Sequence, residues 1–222
     1  MNHQRDAYQK NLTYNLNLSG PGPTFFAQYQ SGTIAHWCAH LLAEPITIVD
    51  VGCGDGVLTS FIASLFYNAH IHGIDTSAEH IDVARMAYPA ISFEVAGDKL
   101  PFPDASVDLI IMADTLHHIP VDKHGAMISE IMRILKPGGI CCILEPNPYN
   151  LLTRYRFTHD PMEESAQMIQ LRKLKNLVQP YGNTHTVFYH FFPQRLQKLR
   201  FYEKYLSWVP FGQLYACITT KK

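Results

Sequence analysis

The stretch that decides the fold is residues 46–56, ITIVDVGCGDG. Five of its first six residues are β-branched, which is the composition of a buried parallel strand. Gly52, Gly54 and Gly56 follow, and glycines in this position permit a sharp turn and let a ligand approach the bare backbone. The apolar residues of 58–67 then fall on one face of a helix. The stretch therefore predicts a strand, a glycine turn and a helix amino terminus.

An acidic residue, Asp50, stands near the carboxyl end of this predicted strand. A carboxylate there is costly unless hydrogen bonds or a ligand satisfy it, so Asp50 marks a candidate binding site. A dinucleotide fingerprint would place its third glycine at position 57, where the chain has Val57. A phosphate-binding P-loop would need a lysine followed by serine or threonine, and the turn has neither. The glycine turn thus predicts a nucleotide-type site of another kind.

A second acidic residue, Asp75, ends the predicted strand 70–75. It lies about 20 residues beyond the glycine turn, the spacing at which a carboxylate meets the hydroxyl groups of a ribose. Two hydroxyl groups that donate to one ionised carboxylate form strong hydrogen bonds. The alternative is that Asp75 caps the next helix, a role that Thr76 or Ser77 fits better. We therefore predict a ribose-binding role for Asp75.

Four motifs of the chain resemble those of the class I S-adenosylmethionine-dependent methyltransferases. The family's first motif is typically acidic-x-G-x-G-x-G, and here it reads DVGCGDG over residues 50–56. Residues 96–108, AGDKLPFPDASVD, resemble the family's G-D-x-x-x-L-P-F-x-D-x-S-F-D stretch, but are two residues shorter before the Leu-Pro-Phe. Residues 113–119, ADTLHHI, and residues 135–139, LKPGG, resemble two further family motifs.

The resemblance implies a single α/β domain over residues 1–222. Its expected core is a Rossmann-like, doubly wound, seven-stranded sheet with helices on both faces. The sheet is expected to be mostly parallel, with the last strand antiparallel. Residues 1–44 would form an N-terminal arm and helices, residues 45–145 the cofactor-binding core, and residues 146–222 an acceptor-side cover and the C-terminal strands.

Periodicity and turn residues predict the elements outside the glycine turn. Helices are expected over 78–87, 123–135, 162–178 and 195–206, and strands over 91–95, 108–112, 139–145, 186–192 and 214–220. Gly138 or Gly139 is expected to end the second of these helices as a left-handed C-cap.

The resemblance implies S-adenosylmethionine as the cofactor, with S-adenosylhomocysteine as the product. Asp98 would accept a hydrogen bond from the adenine amino group, and the backbone amide of Lys99 or Leu100 would meet a ring nitrogen. The alternative for Asp98 is a turn residue before Pro101. The full set of implied cofactor contacts is Asp50, Gly52, Cys53, Gly54, Gly56, Asp75, Thr76, Asp98, Lys99, Leu100, Ala113 and Asp114.

Two adjacent histidines, His117 and His118, follow the predicted fourth strand, where ligands gather in open α/β sheets. The matching family stretch lines the methionine half of the cofactor. Either imidazole has the chemistry of a base near neutral pH. We favour a role in the pocket wall, because imidazoles have many uses outside catalysis, and a purely structural histidine is a third reading.

A polar loop, residues 145–150 with the sequence EPNPYN, follows the predicted fifth strand. It is similar to the Asn-Pro-Pro-Tyr motif of amino-directed nucleic-acid methyltransferases, but that motif follows the fourth strand. We therefore reject methylation of nucleic-acid bases and expect the loop to line an acceptor pocket. The acceptor candidates are Asn147, Tyr149, Asn150, Arg154 and Tyr155.

Composition limits the other function classes. The chain has 222 residues, is 47% hydrophobic and carries a formal net charge of −1, so it can bury one sizeable core and lacks the basic excess of a nucleic-acid binder. No apolar run reaches membrane-spanning length and no signal peptide is recognisable, which favours the cytoplasm. The five cysteines lack C-x-x-C spacing, and none of the twelve histidines forms an H-x-x-x-H or H-E-x-x-H ligand pair on a convincing helix, so no metal is predicted.

Three functions are compatible with these features. The first is methyl transfer from S-adenosylmethionine to a small-molecule acceptor by in-line displacement. The second is a nicotinamide-dependent oxidoreductase, against which Val57, Asp98 and the Leu-Pro-Phe stretch argue. The third is a protein that binds S-adenosylmethionine or S-adenosylhomocysteine without catalysis. The acceptor atom, the use of a general base and the oligomeric state are left open by the sequence.

Overall fold

A seven-stranded sheet forms the centre of the molecule in a computed structural model that describes residues 23–192 and 194–222. Residues 1–22 of the predicted N-terminal arm and helices, 1–44, lie outside this range. The strand order is β3-β2-β1-β4-β5-β7-β6. The strands are β1 Thr47–Val51, β2 His70–Asp75, β3 Ser92–Val95, β4 Val107–Ala113, β5 Leu135–Pro146, β6 Gly182–Tyr189 and β7 Leu214–Lys221.

Helices connect most of the strands. The α-helices of the described residues are α1 Pro23–Trp37, α2 Val57–Leu65, α3 Ala78–Ala87, α4 His124–Ile134, α5 Leu151–His159, α6 Leu171–Val178 and α7 Glu203–Leu206. Short 3-10 helices include Leu116–His118, Pro161–Glu163 and Gln194–Tyr202. Among these residues, no helix combines the length and the apolar character that crossing a bilayer requires.

The pairing of the strands confirms the predicted topology. Strands β3, β2, β1, β4 and β5 pair in parallel, and β7 runs antiparallel to both β5 and β6. The strand order reverses between β1 and β4, and ligands of open α/β sheets bind at such a switch point, outside the carboxyl ends of the strands.

Two hydrophobic cores cover the two faces of the sheet. On one face, Val49 of β1 and Ile110 of β4 belong to a core with Ile131 of α4 and Leu174 of α6. The alternate residues of the same strands belong to a second core on the opposite face, which α1 and α2 cover: Ile48, Leu109, Ile34, Cys38, Ile62 and Phe66. Because both faces are buried, β1 and β4 read as near-continuous apolar runs.

The glycine turn adopts a backbone conformation that side chains disfavour. Gly52, Gly54 and Gly56 have φ angles of +77°, +51° and +78°. The amides of Gly52 and Cys53 both donate to the carbonyl of Ile74 in the neighbouring strand, at 2.7 and 3.0 Å. Gly56 is the left-handed N-cap of α2. The predicted order of strand, glycine turn and helix is therefore confirmed.

The predicted glycine C-cap of α4 was wrong. The helix ends at Ile134, and Leu135 already pairs with Val107 of β4. The ladder resumes only at Ile140, so the residues between form a bulge within β5, with Gly138 at φ +78°. The Lys136 amino group binds the Asp108 carboxylate at 2.8 Å and fixes the bulge. The glycine pair thus serves a strand irregularity and not a helix C-cap.

The predicted elements after β5 also need correction. Only residues 171–178 of the predicted helix 162–178 are α-helical. The preceding segment is held by contacts with distant residues: the Gln167 amide donates to the His117 carbonyl at 2.9 Å. Strand β6 ends at Tyr189, earlier than predicted, because His190 has a φ of +60°. The predicted helix 195–206 is mostly a 3-10 helix with a kink.

Candidate functional site

A cavity of about 370 Å³ lies at the carboxyl ends of β1 and β4. Its floor includes the glycine turn and the end of β4. Much of its wall comes from α1, α5 and the segment after β6. The cavity lining includes glycines of the turn and polar side chains from several elements: Asp50, Gly52, Gly54, Asp114, Arg156, Glu163, His190 and Gln213.

The Asp50 carboxylate is buried beneath the glycine turn, with 2% of the residue exposed. The Thr59 hydroxyl of α2 donates to one of its oxygens at 2.7 Å. Burial raises the pKa of Asp50 to about 6, although the Thr59 hydrogen bond opposes that shift. The sequence required a partner for this carboxylate, and Thr59 is one, which leaves the remaining oxygen lone pairs to other donors.

Asp75 lies at the end of β2, beside the turn. One of its carboxylate oxygens accepts from the Gly54 amide and the other from the Ser77 amide, both at 2.9 Å. Ser77, and not Asp75, is the N-cap of α3, because its hydroxyl accepts from the His80 amide. Each Asp75 oxygen keeps a second lone pair, so the ribose assignment stays a prediction that the geometry allows.

Asp114 follows β4 with a positive φ of 49°, an unusual conformation for a residue with a side chain. Its carboxylate accepts from the Gln30 side-chain amide of α1 at 2.7 Å. Desolvation by the neighbouring protein atoms raises the pKa of Asp114 to about 6. The residue is nevertheless exposed, and water in the cavity opposes this shift because it favours the charged carboxylate. Ala113 and Asp114 both line the cavity, in the region predicted for the cofactor.

The residues predicted for the adenine lie outside the lining of this cavity. Asp98 is exposed and its carboxylate is 3.2 Å from the Lys123 amino group. The Leu100 amide donates to the Glu130 carboxylate at 2.8 Å, so it is engaged within the protein. Of the two backbone amides considered for the adenine ring, we therefore retain that of Lys99. Gly56, Asp75 and Thr76 are likewise absent from the cavity lining.

The two histidines after β4 differ sharply in environment. His117 is buried, and its Nδ1 lies 2.6 Å from the buried Glu145 carboxylate of β5. Burial opposes charge on this ring, but the Glu145 and Glu163 carboxylates together outweigh it and raise the pKa of His117 to about 10 when no cation is bound. In that state the ring is protonated at neutral pH, which disfavours it as a general base. Burial and the charge of His117 lower the pKa of the partly exposed His118.

A third residue, Glu163, completes this histidine group. Its carboxylate oxygen Oε2 lies 3.3 Å from Nε2 of His117 and 3.7 Å from Nε2 of His118. Glu163 lines the cavity and the two histidines do not. The histidines therefore lie behind the cavity wall, whereas the sequence favours a place in that wall. Local sequence spacing gave no sign of Glu163, because the Pro161–Glu163 turn comes far along the chain from the histidines.

Asn147 and Asn150, predicted for the acceptor, hold the loop after β5 in place. The side-chain amide of Asn147 donates to the carbonyls of Pro210 and Gly212, at 3.1 and 2.7 Å. Asn150 is the N-cap of α5, and its amide group donates to the Phe211 carbonyl. Tyr149, Arg154 and Tyr155 are exposed and, like the two asparagines, are absent from the cavity lining, to which this loop contributes Pro146. Acceptor binding by these residues stays a prediction.

The cavity is instead lined by the opposite face of the same helix. Thr153, Arg156 and Phe157 all line the cavity. Their spacing of three and four residues places them on one face of the helix. The Arg156 guanidinium lies 5.5 Å from the centre of the Phe26 ring of α1 and 3.4 Å from the Gln213 side-chain oxygen. Its buried Nε has no hydrogen-bond partner among the described residues. Sequence reasoning identified the helix but not this face.

His190 is a second cavity residue that the sequence did not reveal. It is fully buried against the rings of Phe26 and Tyr29, and neither ring nitrogen has a hydrogen-bond partner in the described part of the chain. Burial, together with the charges of Arg200 and Arg156, lowers the pKa of His190 to about 3. The folded protein therefore holds this imidazole in its neutral form.

This burial predicts a pH-dependent stability. An unfolded histidine takes up a proton near pH 6.5, whereas the folded state excludes it down to about pH 3, so stability is full above pH 6.5 and falls as the pH drops below it. Between pH 6.5 and 5 the loss from His190 is about 2 kcal/mol. Urea unfolding at both pH values should show a smaller loss for His190→Asn than for the natural chain. An equal loss would contradict the assignment, and His40→Asn on the surface is the control.

The comparisons with known proteins agree with this geometry. Residues 48–139 match the sequence model of a methyltransferase domain. The chain is 34% identical over 136 residues to a trans-aconitate 2-methyltransferase of Azoarcus, an alignment that covers 61% of this chain and 53% of the relative. Residues 48–139 form a methyltransferase domain, and the chain is similar to S-adenosylmethionine-dependent methyltransferases.

Further relatives show how far the similarity of this methyltransferase domain extends. A fatty-acid O-methyltransferase of Mycolicibacterium smegmatis is 31% identical over 104 residues, which cover 46% of this chain and 37% of the relative. The chain spans about half the length of the curated relatives it matches, or less. The matched residues 48–139 include the glycine turn. Three other cavity residues, Arg156, Glu163 and His190, lie outside the matched range.

Solved structures support the fold of the methyltransferase domain. A methyltransferase of Archaeoglobus fulgidus aligns with a TM-score of 0.69 and 15% identity, covering 90% of this chain and 95% of the other. A magnesium protoporphyrin IX methyltransferase of Synechocystis, solved with bound S-adenosylhomocysteine, aligns with a TM-score of 0.61 and 15% identity, covering 88% and 83%. Both likenesses concern the fold.

Proposed function

We propose that the protein transfers the methyl group of S-adenosylmethionine to a small-molecule acceptor. The observation that carries the proposal is the cavity that runs from the glycine turn to the inner face of α5. Asp50, Gly52 and Gly54 supply a cofactor wall at one end, and Arg156 and Gln213 supply polar groups for an acceptor at the other. Asp75 joins the cofactor end through its hydrogen bond from the Gly54 amide.

The chemistry requires little of the protein beyond positioning. The sulfonium of the cofactor makes its methyl group electrophilic, and the acceptor lone pair displaces the sulfur in line. Holding the two reactants in this geometry, away from water, supplies most of the rate. A base is needed only if the acceptor carries a proton that must leave.

The acceptor that best suits this cavity carries a carboxylate. Arg156 is half-buried, its buried Nε lacks a hydrogen-bond partner in the described chain, and a carboxylate is the group that a guanidinium binds in a bidentate manner. A carboxylate oxygen is ionised at neutral pH, so no base would be required. Two relatives are named for methyl transfer involving trans-aconitate and fatty acids, and both are carboxylic acids.

Calorimetry and an activity panel test the proposed function. The chain should bind S-adenosylmethionine and not NAD, and it should methylate members of a panel of small carboxylic acids while leaving matched amines unchanged. Binding of NAD instead would favour an oxidoreductase. Binding of S-adenosylmethionine without any methylated product across acids, amines and alcohols would favour a non-catalytic binding protein.

Arg156 offers a matched pair of variants. Arg156→Gln is expected to raise the KM for a carboxylate acceptor by about 10- to 30-fold, because a charge-assisted hydrogen bond contributes about 1.5–2 kcal/mol. Arg154→Gln, on the exposed face of the same helix, should leave the KM unchanged. Affinity for S-adenosylmethionine is the internal control and should be the same in both variants. Equal KM values for the two variants would contradict the role of Arg156.

A further inference from the structure

We infer that His117, His118 and Glu163 form a binding site for one divalent cation of the zinc type. The site would hold the cation with two imidazole nitrogens and one carboxylate oxygen. Such a nitrogen and oxygen set suits zinc, and three protein ligands with an open fourth position are typical of a catalytic zinc centre.

The distances between the three donor atoms fit this assignment. Glu163 Oε2 is 3.3 Å from His117 Nε2 and 3.7 Å from His118 Nε2, and all three atoms lie within 4.8 Å of one another. Ligand atoms of a tetrahedral zinc ion lie about 3.3 Å apart, given bonds of about 2.0–2.2 Å. The two Nε2 atoms are at most 4.8 Å apart, so the partly exposed His118 ring would have to move inward toward both other donors to reach the same separation.

Two of the three donor atoms are buried and without a hydrogen bond. His117 Nε2 and Glu163 Oε2 have no hydrogen-bond partner among the described residues, although they lie within 3.3 Å of each other. Buried polar atoms are nearly always partnered, so this pair requires an explanation. A cation between the two atoms would satisfy both.

The surroundings of His117 have the arrangement that metal-binding histidines use. Its Nδ1 lies 2.6 Å from the Glu145 carboxylate, which orients the ring and leaves Nε2 for a cation. Glu145 is itself fixed by the Leu116 amide at 2.8 Å, and the His117 carbonyl accepts from the Gln167 amide. The ring is therefore positioned before any cation binds.

The position of the site connects it to the cavity. Glu163 lines the cavity, whereas the two histidines do not and Glu163 Oε2 is buried, so a bound cation would lie directly behind the cavity wall. Cation binding does not depend on the proposed methyl transfer and can be measured without a cofactor or an acceptor. The two proposals can therefore fail separately.

The alternative is that the three side chains form only an ion-pair cluster. In that case a protonated His117 is balanced by Glu145 and Glu163, and His118 is a bystander. The two readings differ in what they require of His118. A cation site needs its Nε2 as a ligand, whereas an ion pair between His117 and the carboxylates does not.

The test uses untagged, full-length protein that has been stripped with a chelator and titrated with Zn²⁺ by calorimetry. Co²⁺ is the second probe, because its visible absorption reports four-coordinate geometry. We expect one site per chain and a Zn²⁺ affinity at least about 100-fold weaker in His118→Ala, since even a residue that only orients a ligand contributes 10- to 100-fold. Glu163→Gln should show a similar loss, and His40→Ala, at an exposed position, should show none.

The circular dichroism spectrum and the unfolding temperature of each chelator-stripped variant establish that it is folded. Failure of the natural chain to bind Zn²⁺ or Co²⁺ would overturn the inference. So would binding that persists unchanged in both His118→Ala and Glu163→Gln, because the cation would then occupy another place. If Glu163→Gln does not fold, the partly exposed His118 position decides the result alone.

Discussion

Gly52→Ala is expected to lower the free energy of unfolding by about 3 kcal/mol or more. Gly52 has a φ of +77°, and an alanine in the left-handed region costs about 1–2 kcal/mol. Its added Cβ would also overlap the Thr115 side chain, whose hydroxyl donates to the Ala113 carbonyl at 2.8 Å. Either β1 or the segment after β4 would have to move, and both are part of the predicted cofactor site.

Urea unfolding measures this effect, and two other glycines supply the controls. Gly54→Ala meets the same type of strain, at φ +51°, but its Cβ would approach only His80 Nδ1, at 3.8 Å. We expect a loss of about 1–2 kcal/mol there. Gly125→Ala, in α4 with nothing within 4 Å, should increase stability by about 0.5–1 kcal/mol. A Gly52→Ala protein that is as stable as Gly54→Ala would show that Thr115 does not confine the turn.

Asp75→Ala is expected to weaken the binding of S-adenosylmethionine by about 150-fold. Two ribose hydroxyls that donate to one carboxylate contribute about 3 kcal/mol together, given 1.5–3 kcal/mol for a hydrogen bond to a charged group. The substitution also removes the acceptor of the Gly54 amide, which loosens the glycine turn at the same place. Both effects act in the same direction, and calorimetry with the cofactor measures their sum.

Ser77→Ala separates the ribose contact from helix capping. It removes the hydroxyl that accepts from the His80 amide and should cost about 1 kcal/mol of stability. Its affinity for S-adenosylmethionine should stay within about twofold of the natural chain. If Asp75→Ala binds the cofactor as tightly as Ser77→Ala does, the ribose assignment is refuted and Asp75 serves only the local backbone.

The residues predicted for the cofactor could be named from the sequence because their positions are set locally. Asp50, the three glycines and Asp75 are each tied to the end of a particular strand, and parallel strands bring their carboxyl ends to one edge. The topology therefore assembles these residues without any knowledge of side-chain packing. The end of α4 was less predictable, because pairing of Leu135 with Val107 in the sheet competes with continuation of the helix.

The face of α5 that lines the cavity could not be predicted, for a different reason. The helix α5 has no strong apolar stripe, so its sequence does not indicate whether Arg154 or Arg156 points inward. The packing of α5 against α1 and against the start of β7 decides this, and it places Arg156 beside Phe26 and Gln213. The same holds for His190, whose burial depends on aromatic rings from α1.

The sequence by itself determined where β1, the glycine turn and the acidic residues at the strand ends lie, since β-branched runs and glycines constrain the backbone locally, and the family resemblance implied the type of sheet. Only the tertiary structure decided which side chains meet across the cavity wall. His117 and Glu163 come from segments far apart in the chain, and the contact of the Gln167 amide with the His117 carbonyl holds those segments together. Such a contact depends on how loops pack over a finished sheet, and no periodicity in the sequence records it.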